Sequence, residues 1–121
     1  MYEIFTYGRF EVEQANEQAF VDAWSEFAAW VTELPGAQTL RLVRDVRNPG
    51  RFVSFGQWDD AEAVRSFKSS PEFKAGLGRM VALATDFEPT ELVTLAKSAD
   101  GTVEAHSPPA ELEPIHAPTN S

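Results

Sequence analysis

The 121-residue chain contains no cysteine, which excludes disulfides, thiolate nucleophiles and cysteine-held metals or clusters. It has no apolar run approaching the roughly 20 residues a membrane span needs, and no basic start followed by an apolar core of the secretory kind. The expected location is therefore the cytoplasm, with no membrane partner. Positive charge is scarce: 10 Lys and Arg against 19 Asp and Glu leave a formal charge of −9. No nucleic-acid partner is expected, because such binding draws most of its affinity from clustered positive charge. Histidine is scarcer still. His106 and His116 stand among prolines near the C-terminus, where solvated imidazoles are a better reading than axial ligands. With no pairing of two histidines and a carboxylate elsewhere, no metal site is expected.

What the chain does contain is aromatic bulk. Nine Phe, three Trp and two Tyr in a sequence that is 43% hydrophobic suffice for one domain around one core. The most informative stretch runs from Phe52 to Phe73. Its first half alternates, which as a strand places Phe52, Ser54, Gly56 and Trp58 on one face and Val53, Phe55 and Gln57 on the other. Asp59 or Asp60 is then suited to cap a short helix bearing Ala61, Val64 and Phe67, and after Ser69-Ser70 Pro71 is suited to open a second. That helix is expected to run to about Thr85 on a stripe of Phe73, Leu77, Met80, Val81 and Ala84.

Upstream, Tyr2–Val12 alternates as a first strand. Between about Gln14 and Leu34, residues Phe20, Trp24, Phe27, Val31 and Leu34 recur at helical spacing, with Asn16 as a candidate cap and Pro35-Gly36 as the stop. Ala37–Arg47 is expected to be a strand joined to Arg51–Trp58 by a turn at Asn48-Pro49-Gly50, and Glu88–Ala96 a last strand. The order β-α-β-β-α-β predicts an α+β, ferredoxin-like fold with an antiparallel sheet and its helices on one side. The other face would show Phe5, Tyr7, Val53 and Phe55, too apolar to be left in water. A homodimer packed sheet against sheet is the simplest cover. The domain is assigned to residues 1–97. Residues 98–121 are read as an acidic, Pro-rich tail with four prolines, four carboxylates and no Lys or Arg. It is expected to be extended along its own domain or the partner, anchored by Leu112 and Ile115.

The string Leu34-Pro35-Gly36, the strand from Leu40 to Asp45, the Asn-Pro-Gly turn, the Gln57-Trp58-Asp59-Asp60 junction and the Ser69–Phe73 step resemble the antibiotic biosynthesis monooxygenase family over about the first 97 residues. The resemblance implies a dimeric α/β barrel. Haem-degrading relatives carry an asparagine, a tryptophan and a histidine where this chain has Gly8, Phe67 and Leu77, so haem is not expected. The small cofactor-independent oxygenases that oxidise anthrone-like phenols are a closer likeness. Trp58 matches the tryptophan that they use in substrate binding and chemistry, Ser54 stands at their pocket asparagine, and Val64 at a tyrosine.

The resemblance thus implies a cofactor-independent monooxygenase acting with O2 on a small aromatic or polyketide-like substrate, an anthrone or a quinol. Trp58 and Arg44 are the catalytic candidates. Arg44 shares parity with Leu40, Leu42 and Val46, and an arginine on a buried face needs a partner or a ligand. Ser54, Phe67, Phe73, Leu77 and Phe20 are the expected lining of a closed apolar cavity beside Trp58, with Trp30 at its lip or in the subunit contact. Two other readings stand beside this one. One is a non-catalytic dimeric barrel that binds a hydrophobic small molecule. The other is an isomerase of the same superfamily, for which Glu88 or Tyr7 would have to supply the proton-transfer group.

Overall fold

The computed structural model describes residues 3–105. Tyr2, His106, Leu112, Ile115 and His116 lie outside the described residues. Period-two alternation makes β1 (Ile4–Glu11), and a single 3-10 turn (Gln14–Asn16) leads into α1 (Glu17–Val31). The Asn16 side chain makes no capping bond, so the sequence reading of that cap is corrected. β2 (Ala37–Asp45) and β3 (Asn48–Trp58) form a hairpin, followed by α2 (Ala61–Ser69), α3 (Pro71–Ala82) and β4 (Asp86–Val93). The four strands lie in the order β2-β3-β1-β4, every pair antiparallel. This is the α+β, ferredoxin-like topology expected from the element order.

The hairpin turn departs from expectation. It falls at Val46-Arg47, and Asn48-Pro49-Gly50 begins β3. Two bonds account for this. Asp45 Oδ1 accepts the Arg47 amide at 2.8 Å, closing the chain one residue after the strand. Gly50 carbonyl accepts the Val12 amide at 2.8 Å, drawing the start of β3 alongside the end of β1.

The helix boundaries follow from caps. Asp60 accepts the Ala63 amide at 2.9 Å to start α2. Ser70 accepts the Phe73 amide at 3.1 Å to start α3, whose first position is Pro71. Residues of even parity on β1 and β3 face the helices, and Ile4, Phe10, Phe52 and Trp58 pack there against Phe20, Phe27 and Val31 of α1, Val64 and Phe67 of α2, and Phe73 and Met80 of α3. Gly76 lets α3 approach α1: a Cβ on it would overlap the Phe27 ring.

The opposite sheet face carries Phe5, Tyr7, Val53 and Phe55, all half-buried, beside Val43 and Leu92, which are exposed. Beyond β4, where an extended tail is expected from Ser98, the chain instead forms a second hairpin of β5 (Ala96–Ala99) and β6 (Thr102–Ala105). Asp100 and Gly101 both have positive φ, 54° and 77°, the signature of a two-residue type I′ turn. Lys97 ties this hairpin to Glu3 at 3.1 Å. Among the described residues no helix is long and apolar enough to cross a membrane.

Candidate functional site

The helix-facing side of the sheet holds two aromatic groups, one at each end of β3. At its C-terminal end Trp58, 1% exposed, stacks on Phe67 of α2 with ring centroids 4.7 Å apart and an interplanar angle of 28°. Phe67 in turn meets Phe73 edge-on at 4.8 Å and touches Phe27 and Trp30 of α1. At the other end Phe20 packs on Phe10 and Phe52 at 4.9 and 5.5 Å. Phe52 and Trp58 are six residues apart on one strand, which at about 3.3 Å per residue is roughly 20 Å.

The sequence-predicted residues therefore separate. Trp58, Phe67 and Phe73 are brought together, and Leu77 packs half-buried against the same core. Phe20 belongs to the far group. Arg44 is also at the far end. The register of β2 against β3 breaks between Arg44 and Asp45, and the expected buried face gives out there. Val46 is 93% exposed, and the Arg44 side chain is 44% exposed, paired with Glu17 of α1. Its guanidinium lies 5.0 Å over the Phe52 ring, so it acts as a surface clasp with a cation–π contact. That corrects the buried-face reading of Arg44. Ser54, between the two groups and half-buried, accepts the Trp24 indole N–H at 2.9 Å. The Trp58 indole N–H is likewise engaged, donated to Thr6 Oγ1 at 3.1 Å.

In front of Phe67, between the C-terminal end of α1, the turn at Pro35-Gly36 and α2, lies a groove of about 660 Å³. Trp30, Leu34, Pro35 and Phe67 form its apolar wall, while Asp59, Asp60, Glu62 and Glu72 stand at its rim. Trp30, expected at the lip of a cavity beside Trp58 or in the subunit contact, stands here in the wall of this groove. Phe67 is both a wall of this groove and the ring stacked on Trp58, so one side chain separates the groove from the indole.

Sequence reasoning missed an ion pair in this layer. Lys68, at 7%, is the buried charged residue among those described, and its ammonium is paired with Glu91 of β4. The signal was present: Lys68 lies four residues after Val64 on the inward stripe of α2, and Glu91 shares parity with Phe87 and Val93. Glu91 is the cross-strand neighbour of Thr6 in the β1–β4 ladder, so the Lys68–Glu91 pair and the Trp58–Thr6 bond stand on adjacent strands, on the same face of the sheet. Glu88 lies on the opposite parity, bonded to Arg9 at 2.9 Å. There Glu88 first, then Asp86, hold the Arg9 guanidinium proton even more firmly than usual. Among the described residues no three or more His, Asp or Glu side chains converge to hold a metal ion.

A sequence model of the family described as antibiotic biosynthesis monooxygenase matches residues 4–79, more than half of the chain. Among curated proteins, none matches the chain significantly. Solved structures agree on the fold. The cofactor-independent oxygenase SnoaB from Streptomyces nogalater superposes with a TM-score of 0.68 at 22% identity, covering 84% of this chain and 100% of that one. A point variant of the same enzyme gives 0.67 at 25% identity, covering 83% and 95%. A conserved protein from Methanosarcina mazei gives 0.69 at 15% identity, covering 78% and 92%.

Proposed function

From the premise that this chain belongs to the antibiotic biosynthesis monooxygenase family, we propose that it is a cofactor-independent monooxygenase oxidising a small aromatic or polyketide-like substrate, an anthrone or quinol, with O2. The observation that carries this reading is the aromatic stack of Trp58 on Phe67 immediately behind an apolar-walled groove. A flat polycycle entering the groove meets Phe67 first, and a rotation of that ring admits it to the indole face, where stacking is favourable.

The chemistry asked of the protein is modest. An anthrone gives up a methylene proton to become an enolate, which is electron-rich enough to pass an electron to O2. Completion of the reaction turns the CH2 group into a carbonyl and releases water, so atoms balance without a further reductant. The protein supplies a dry site, orientation and donors to the enolate oxygen. Trp58 is the stacking surface and, by exchanging Thr6 for substrate, an N–H donor. Ser54 is the second donor, while Phe73 and Leu77 back the site. By this route the reaction needs no metal or flavin.

Oxygen uptake by metal-stripped protein with a panel of anthrones and hydroquinones tests the proposal. Uptake above the spontaneous rate, reduced roughly 10-fold or more in Trp58→Phe through loss of one N–H donor, supports it. A specific observation favours a second reading. The indole N–H groups of Trp58 and Trp24 already have acceptors within the protein, Thr6 and Ser54. A non-catalytic barrel that only stacks a hydrophobic ligand is consistent with that arrangement. A polycyclic ligand that raises the melting temperature while no substrate gives enhanced uptake would select it.

The functional unit proposed is a homodimer formed through the open sheet face. Phe5, Tyr7, Val53 and Phe55 leave that face more apolar than a solvated sheet surface, and Val43 and Leu92 extend the patch to both edges.

A further inference from the structure

Lys68 and Glu91 are not used by the mechanism above, yet they are the most buried ion pair among the described residues. Carrying a carboxylate and an ammonium into an apolar layer costs several kcal/mol per ion before their attraction is counted. Well-packed hydrophobic residues of the same volume generally stabilise a fold at least as well. Here the pair joins α2 to β4, with Glu91 the cross-strand neighbour of Thr6, which accepts the Trp58 indole N–H, and with Phe67, the ring that walls the groove, preceding Lys68 in sequence. The other carboxylates near the groove lie at its solvent rim, where Asp60 is committed to capping α2 and Glu62 pairs with Arg65. Glu91 is the carboxylate that faces the layer between sheet and helices.

We infer that Glu91 and Lys68 are the proton-accepting couple of the site, acting on a substrate whose acidic C–H lies next to an aromatic carbonyl. The inference rests on the reading of the site given above and names the group that starts its chemistry. The Glu91 carboxylate takes the substrate proton, and the electron pair of the broken C–H bond passes into the ring carbonyl to give the enolate. As Glu91 becomes neutral, Lys68 loses its counter-ion. The enolate oxygen takes that place, so the site holds one negative and one positive charge before and after the transfer. No charge has to be created in the apolar layer, which is the condition under which a buried base can work. Trp58 then stacks on the enolate while O2 reacts with it.

The test is hydrogen–deuterium exchange at the anthrone methylene under anaerobic conditions, followed by NMR, with O2 uptake measured in parallel. Glu91→Gln is expected to lower protein-catalysed exchange by roughly 100-fold, and Glu91→Asp to recover part of it. The double variant Lys68→Met/Glu91→Leu replaces the ion pair by apolar residues of similar volume and is expected to keep the wild-type melting temperature within a few degrees while losing exchange. If that folded double variant exchanges and consumes O2 as the wild type does, the couple is structural and the inference is overturned, with the oxygenase reading intact. Exchange in the wild type that Glu91→Gln abolishes, without O2 uptake from any substrate, supports the couple and removes the oxygenase reading. Neither exchange nor uptake in the wild type removes both.

Discussion

At the scale of single residues, two glycines two positions apart on α3 show how little composition says about role. Both cost helix stability relative to alanine by up to about 1 kcal/mol. A Cβ at Gly76 would strike the Phe27 ring, whereas one at Gly78 meets nothing within 4 Å. Gly76→Ala is therefore expected to destabilise the domain by about 1–3 kcal/mol, as overpacking does, and Gly78→Ala to stabilise it by about 0.5–1 kcal/mol. Urea titrations of the two variants check the pair together, and equal shifts would show that the close contact of α1 and α3 is not as described. The sequence displays both glycines but not which side of the helix meets a neighbour. The same limit applies to the site. Trp58 and Phe67 are legible because alternation and helical spacing fix their faces, while Lys68 and Glu91 come together only through the packing of α2 on β4, 23 residues apart in the chain. Arg44 was misread for a related reason: parity gives it the face of Phe52, over whose ring it lies, but does not show that this end of the edge strand is left uncovered.

At the scale of elements, the starts of α2 and α3 were the best-determined boundaries in the sequence, because a cap is a local bond, whereas α1 starts without its expected Asn16 cap and α3 ends at Ala82 rather than near Thr85. Ser70 is the sharpest case. Its hydroxyl accepts the Phe73 amide at the start of α3 and donates to the Phe67 carbonyl at the end of α2, so one side chain closes two helices. Ser70→Ala is expected to cost about 1–2 kcal/mol, the upper part of the range for a capping residue, and Ser70→Asp to recover most of the α3 share through a charged acceptor at the helix N-terminus. Thermal unfolding followed by circular dichroism reads both. A cost near zero would mean that solvent satisfies the two ends unaided. The hairpins were harder to place. Asn48-Pro49-Gly50 is the stronger turn signal by composition, yet the bond of Asp45 to the Arg47 amide and that of the Val12 amide to the Gly50 carbonyl put the reversal two residues earlier. The β5–β6 hairpin was hidden in a segment whose acidic, Pro-rich composition reads as extended, and only its Asp100-Gly101 dipeptide signals the turn.

At the scale of the whole molecule, helices cover one face of the sheet and leave the other to be explained. Its centre is Phe5, Tyr7, Val53 and Phe55. Along one border Arg9 is held within its own chain by Glu11, Asp86 and Glu88, so its charge requires no partner from outside and does not oppose a second copy approaching. Specific dimers bury about 1,200–2,000 Å² in total, within reach of a four-stranded face used by both copies. Around a two-fold axis each substituted residue is present twice, so a single charge at the centre of the patch brings two like charges into the apolar interface. Phe55→Glu is accordingly expected to weaken self-association by at least about 100-fold, since burying an unpaired charge costs several kcal/mol. Phe55 points away from the helix layer, so the secondary structure of the subunit should survive. Sedimentation velocity over a range of concentrations distinguishes the outcomes: a wild-type dimer that becomes a folded monomer in Phe55→Glu supports the sheet-to-sheet assembly, and a wild type that sediments as a monomer throughout removes it.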